Sequence, residues 1–271
     1  MSTLSELRSS RELLVNLTLR EIRGKYKRTA LGQLWSLLNP AAQMATYSLV
    51  FGFFLVSRVG PGNPSGLHVF AIWLSTGLLP WLFFNNVVTG AMGSMVNNAN
   101  LILKVYFPRE VLVVSNALSW LYTHVIEMAV LVVVIYLFGG NPTIYLPLTA
   151  LFVVLLGCFA LGLGFMLAIA NVYFRDTQHF VAIALQLLFY MTPIVYPPSV
   201  VEKYKNTHGA LVYIYKLNPL ERFSEIFRNT LYDNRWPSLT NSLYVVIVSL
   251  VVLVLGQAVF RRFAGALAEE L

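Results

Sequence analysis

The apolar positions of this chain fall into long runs separated by short polar connections. Six runs are long enough to cross a bilayer as helices, roughly 33–57, 68–91, 111–138, 144–171, 178–196 and 239–260. A crossing helix needs about 20 mostly apolar residues. In hydrocarbon each backbone amide must be satisfied within its own segment, so such runs form helices and not open sheet. The expected fold class is therefore an all-α membrane protein with six transmembrane helices, forming a single transmembrane domain over residues 1–271.

Two segments break this pattern. In residues 4–28, Val15, Leu19, Ile22 and Tyr26 share one helical stripe, while Arg20, Arg23, Lys27 and Arg28 lie elsewhere around the axis. That predicts an N-terminal amphipathic helix lying in the membrane interface. Leu14 and Leu17 fall outside the stripe. Residues 199–235 are too polar to span. Asn218-Pro219-Leu220-Glu221 places a capping residue, a first-turn proline and an N3 glutamate in order. Leu220, Phe223, Phe227 and Leu231 then repeat at helical spacing. Tyr196-Pro197-Pro198 ends the preceding run, because proline disfavours helix at the residue before it. Short helices that re-enter the bilayer from the outer side are expected here, with a surface hairpin as the alternative.

Composition agrees with a membrane class. The chain is 57% hydrophobic and only 11% charged, against about 25% charged in soluble domains. Its excess of 19 basic over 12 acidic residues gives a formal charge of +7. Much of that charge flanks the runs: Arg8, Arg11, Arg20, Arg23, Lys25, Lys27 and Arg28 before the first, Lys104 and Arg109 after the second, Arg175 after the fourth, Arg261 and Arg262 after the last. Basic flanks mark the cytoplasmic side, which places both termini there. Arg58 and a mixed group at 203–235 lie on the opposite side. The charge reflects orientation, so a nucleic-acid partner is not expected. Cys158 is the lone cysteine, which excludes an internal disulfide. The polar N-terminus gives no expectation of a cleavable signal peptide.

The connection from Asn97 to Glu110 is short, mixes apolar with basic residues and ends at a proline. It reads either as a loop anchoring two helices or as a docking surface, with Leu101 and Val105 as its apolar stripe and Lys104 beside them. Hydrolytic machinery is missing from the pattern: there is no phosphate-binding glycine loop, no H-E-x-x-H and no G-x-S-x-G. The four histidines have no metal-ligand spacing. No catalytic residue, metal ligand or cofactor is expected in this chain. His124 and Glu127 are the polar pair inside a span, three residues apart on one helix face. A charge there costs roughly 2.5–3.5 kcal/mol, so the pair is either a polar or proton-linked lining or a hydrogen-bonded packing device. Trp35, Trp73, Trp81, Phe83, Phe84, Tyr190 and Tyr196 lie in or near the first, second and fifth runs. They suit a path on which sugar rings stack, or they are interfacial anchors.

Several motifs together resemble a known family. They are Leu31-Gly32-Gln33-Leu34-Trp35-Ser36-Leu37-Leu38-Asn39-Pro40, Asn98-Ala99-Asn100-Leu101-Ile102 with Lys104, and Phe107-Pro108-Arg109-Glu110. Asn171-Val172-Tyr173-Phe174-Arg175-Asp176, Thr192-Pro193-Ile194-Val195-Tyr196-Pro197 and Leu217-Asn218-Pro219 complete the set. In this order they are similar to the permease subunit of ABC exporters for lipid-linked polysaccharides, the Wzm and teichoic-acid-exporter type. The resemblance implies a homodimer in the plasma (inner) membrane. Separate ATP-binding subunits would carry the ATP and magnesium, and the cargo would be an isoprenoid-diphosphate-linked glycan of O-antigen, galactan or teichoic-acid type. It assigns coupling to the ATPase to Asn97, Asn100, Leu101, Lys104, Phe107, Pro108, Arg109 and Glu110, the substrate path to the seven aromatics, and an outer gate to 199–235. A small-molecule or drug permease and a membrane glycosyl- or acyltransferase are the alternatives.

Overall fold

The computed structural model describes residues 10–25, 27–54, 59–105, 107–204 and 207–265, and every regular element among them is helical. In chain order the α-helices are α1 (Arg11–Lys25), α2 (Trp35–Tyr47), α3 (Phe70–Asn97), α4 (Ala99–Lys104), α5 (Glu110–Leu137) and α6 (Leu146–Tyr173). They continue with α7 (Thr177–Met191), α8 (Ser199–Glu202), α9 (Gly209–Lys216), α10 (Pro219–Phe227) and α11 (Leu239–Ala264). Part of the helix expected at 4–28, including Arg8 and Tyr26, lies outside the described residues, as does Arg58.

Four helices are long and apolar enough to cross a membrane: α3, α5, α6 with its leading turn from Thr143, and α11. They match the second, third, fourth and sixth runs. The other two runs form shorter helices. α2 gives way at Tyr47 to wide helical turns over Ser48–Phe54. α7 stops at Met191 and not near 196, because Thr192 precedes Pro193 and takes an extended backbone (φ −105°, ψ 135°). Its 15 residues span about 22 Å, short of the roughly 30 Å of hydrocarbon.

α3, α6 and α11 run one way and α5 the other, so the bundle has two ends. The basal end holds α1, α4 and the start of α5. The apical end holds the α5–α6 turn and the segment from Thr192 to Ser238. Each end has its own core. Leu74, Leu78, Phe84, Leu156, Phe159, Phe223 and Phe227 belong to the apical core. Leu17, Met95, Val111, Leu112, Phe165 and Phe260 belong to the basal one. Helix α6 is central, packed between α3 and α11. Its contact with α11 is backbone on backbone: a Cβ on Gly162 would lie 2.5 Å from the Val252 carbonyl oxygen, and one on Gly256 would overlap the Gly162 carbonyl. Overpacking a tight contact costs about 1–3 kcal/mol. Gly256→Leu should therefore lower the thermal unfolding midpoint in detergent. A midpoint equal to the parent's would refute this close approach.

Helix α1 turns a different face inward from the one its stripe suggests. Leu17 is buried and Leu13 and Leu14 pack on the basal core, whereas Val15 and Leu19 are exposed. The helix thus has two apolar faces, one for α5 and one left for lipid. At its end the Lys25 ammonium sits 3.3 Å above the Trp120 ring. Burial lowers Lys25 to about 7, opposed by the Glu21 and Glu127 carboxylates.

The apical segment follows the expected pattern at α10. Asn218 caps it by accepting from the Leu220 N–H at 3.0 Å. Leu220, Phe223, Phe227 and Leu231 are all buried. The reciprocal half of the capping box is not made. The Asn218 N–H already donates to the Tyr215 carbonyl at 3.1 Å, and the Glu221 carboxylate lies 3.3 Å from Arg222 instead. Burial pushes Glu221 up to about 7, with Arg222 pulling the other way. Its unfolded value is lower, near 4.5. Between those values the folded chain binds more protons than the unfolded one, so stability falls as pH rises from about 4.5 to about 7. The loss is at most about 3 kcal/mol. Glu221→Gln should remove this slope from a thermal melt series, and an unchanged slope would place the titration elsewhere.

Arg228 holds the apical segment to the bundle. It is buried, donates Nη2 to the Ile194 carbonyl at 3.0 Å, and stacks 3.8 Å above the Trp73 ring. Gly77 leaves room for it: a Cβ there would come within 3.1 Å of Nη2.

Candidate functional site

The segment expected to dock a partner forms a distinct feature at the basal end. Asn97 and Asn100 are exposed, and α4 ends after six residues at Val105, whose backbone is extended (φ −135°, ψ 133°). That early end breaks helical periodicity, so Leu101 and Val105 do not share a face. Ile102 is buried and Leu101 packs on the basal core, while Leu103 and Val105 are exposed. The outward apolar pair is therefore Leu103 and Val105, with Lys104 between them. Ile102, Leu103, Lys104, Val105, Phe107 and Arg109 surround a hollow of about 260 Å³. Phe107 packs on the core, Pro108 is half-buried, and Glu110 turns inward, 3.5 Å from Arg261. The segment is braced from both ends of the chain. Arg20 of α1 donates to the Asn98 side chain at 2.6 Å, and Arg109 donates to the Gly265 carbonyl at 3.4 Å.

The second feature is a groove of about 490 Å³ formed by α2, α3 and α7. Gln43 and Tyr47 come from α2. Trp81, Leu82, Asn85 and Thr89 come from α3. Ala182, Leu185, Gln186, Phe189 and Tyr190 come from α7. Rings gather toward its apical end: Phe189 lies 5.9 Å from Tyr47, 5.5 Å from Trp81 and 5.3 Å from Tyr190, centre to centre. Polar side chains sit one or two turns basal to them, at Gln43, Asn85, Thr89 and Gln186. Helices α2 and α7 bury little of themselves. Ser36 and Pro40 are the buried residues of α2, and Leu185 and Phe189 those of α7. Gln43 and Gln186 are exposed on these mainly apolar helices, as are Asn39 and Thr46 of α2 and Gln178 and His179 at the start of α7.

Of the seven expected aromatics, Trp81 and Tyr190 line this groove. Tyr196 is close, its hydroxyl donating to the Tyr190 carbonyl at 2.9 Å. Trp35 is exposed at the start of α2 and does not line it. Trp73, Phe83 and Phe84 are buried in the chain's own core: Trp73 lies under Arg228, Phe83 against His124, and Phe84 against Phe159. Sequence reasoning passed over Tyr47, Phe189 and the amides. Their signal was present as polar or aromatic residues four apart within apolar runs, namely Gln43–Tyr47, Trp81–Asn85–Thr89 and Gln186–Tyr190.

His124 and Glu127 do not reach the groove. Nδ1 of His124 lies 3.5 Å from the Glu127 carboxylate on the same helix, and its ring stacks on Phe83 at 4.6 Å. Glu127 borders an apolar hollow between α2, α3 and α5, and His124 one between α5 and α6. The pair is thus within one helix and not between two.

A helical membrane bundle with a polar and aromatic groove on weakly packed helices, and a braced segment at one end, defines a transport subunit. Residues 12–232 match the family described as ABC-2 type transporter, and the chain belongs to that family. It is 31% identical over 266 residues to an O-antigen export system permease protein of Myxococcus xanthus, covering 98% of each chain. A Klebsiella pneumoniae protein of the same description is 30% identical, over 96% of this chain and 95% of its own. The polysialic acid transport protein KpsM of Escherichia coli is 25% identical, over 90% of this chain and 91% of its own.

Proposed function

We propose that this chain is the membrane subunit of an ATP-driven exporter that moves a lipid-linked polysaccharide out of the cell. In this reading two copies pair through α2 and α7, so that their grooves face one another across a twofold axis. A separate ATPase docks on Leu103, Val105 and the hollow beside them, bringing the ATP and magnesium. Each copy crosses the inner membrane six times. α2 with its wide turns, and α7, supply the first and fifth crossings, which leaves both termini on the cytoplasmic side. The apical segment held by Arg228 acts as the outer gate.

The observation that carries this reading is the placement of Gln43 and Gln186, exposed on mainly apolar helices and lining the groove beside a cluster of rings. An amide facing lipid is left without partners. An amide facing a hydrated glycan is satisfied, and the ring faces offer stacking surface for the apolar faces of sugars. Inverted membrane vesicles test the reading. With this chain and its ATPase together, ATP should drive a radiolabelled lipid-linked polysaccharide into the lumen, protected from added glycosidase. With either subunit alone no protection should appear. Protection by the chain without the ATPase, or none with both, would refute it.

A further inference from the structure

We infer that the polymer passing through the α2–α3–α7 groove is uncharged along its repeating unit. This rests on the export reading above. Among the described residues lining the groove, none bears a formal charge: the polar groups are the carboxamides of Gln43, Asn85 and Gln186, the Thr89 hydroxyl and the phenols of Tyr47 and Tyr190. Formal charge reappears outside the groove at both ends: at the exposed Arg175 and Asp176 ahead of α7, and at Glu221 and Arg222 of α10, whose cap Asn218 bonds Thr192 just past the end of α7.

The groove is also layered. α2 runs basal to apical, α3 the reverse, and α7 basal to apical. A spacing of four residues is a rise of about 6 Å. Gln43, Asn85 and Gln186 therefore form a basal amide layer, and Tyr47, Trp81, Phe189 and Tyr190 an apical ring layer. An amide both donates and accepts, which matches a sugar hydroxyl in either role. The face of an aromatic ring is electronegative. It repels a carboxylate, phosphate or sulfate and binds a cation tightly. An acidic polymer would find hydrogen-bond donors in the amide layer but no opposite charge at either layer, and a buried charge without a counter-charge is costly. A basic polymer would be held on the rings. A neutral polymer finds partners at each layer and can still slide.

The probe is a lipid-linked polymer of alternating hexose and hexuronic acid, together with the same polymer after its carboxyl groups have been reduced to alcohols. Both are offered to inverted vesicles carrying the full-length chain and its ATPase. The reduced polymer should be protected at least about tenfold faster than the acidic one. In Gln186→Lys, a cation in the amide layer should shift that ratio toward the acidic polymer by about tenfold. Equal rates for the two polymers, a faster acidic polymer, or a ratio unmoved by the lysine would each overturn the inference while leaving the export reading intact. Protection of neither polymer, with ATP hydrolysis still active, would overturn both.

Discussion

Replacing Leu103 and Val105 together with aspartate is expected to abolish export and leave the permease folded. Both side chains are more than half exposed, at 58% and 52%, so the change costs the free chain little. At the ATPase contact it places two carboxylates per copy where apolar surface would be buried. Unpaired buried charge costs several kcal/mol, and each 1.4 kcal/mol is a factor of about ten in affinity. Copurification of the ATPase should drop by about a hundredfold or more. Leu101→Asp is the informative comparison. Leu101 packs on the basal core, so its carboxylate should lower the yield of folded protein directly. If the Leu103/Val105 variant retains its ATPase and exports normally, the partner binds elsewhere.

The second large effect is expected from the ring layer. Tyr190 is 60% exposed and Tyr47 is half-buried at the edge of the apical core, so cutting both back costs less folding stability than removing a fully buried ring. Tyr47→Ala with Tyr190→Ala removes four rings from the proposed dimer. A stacking contact is worth about 0.5–1.5 kcal/mol, so export per assembled transporter should fall by about tenfold or more. The matching double variant in the core, Phe83→Ala with Phe84→Ala, should act differently. Each buried phenylalanine lost costs about 3–5 kcal/mol, so it should reduce the amount of folded protein and not the rate per complex. Unchanged export per complex in the Tyr47/Tyr190 variant would make those rings membrane anchors.

The contrast between these variants also shows what could be read from residue order. Run length identified the four long helices, because a backbone in hydrocarbon has few alternatives. The stripe Leu220-Phe223-Phe227-Leu231 and its cap were legible because capping and periodicity are local. Side-chain direction was not. Trp73, Phe83 and Phe84 are as aromatic as Trp81, but α3 is enclosed by its neighbours and most of it faces the core. Leu101 and Val105 were misassigned to one face because α4 ends before the repeat closes. Arg228 had no local signal. It reads as one more basic residue in a polar stretch, and only the gap at Gly77 and the Trp73 ring from a distant helix make its burial possible.

The central claim is that glycan passes along the groove between α2, α3 and α7. Photocrosslinking tests it most directly. A photoreactive amino acid is placed at Gln186, at Asn85, or at Val125, which is exposed on α5 away from the groove. Vesicles with the ATPase are given radiolabelled lipid-linked polysaccharide and stalled in mid-transport with vanadate. The account predicts ATP-dependent labelling of the chain from positions 186 and 85 and none from 125. Labelling from 125 with none from 186 or 85 would contradict it.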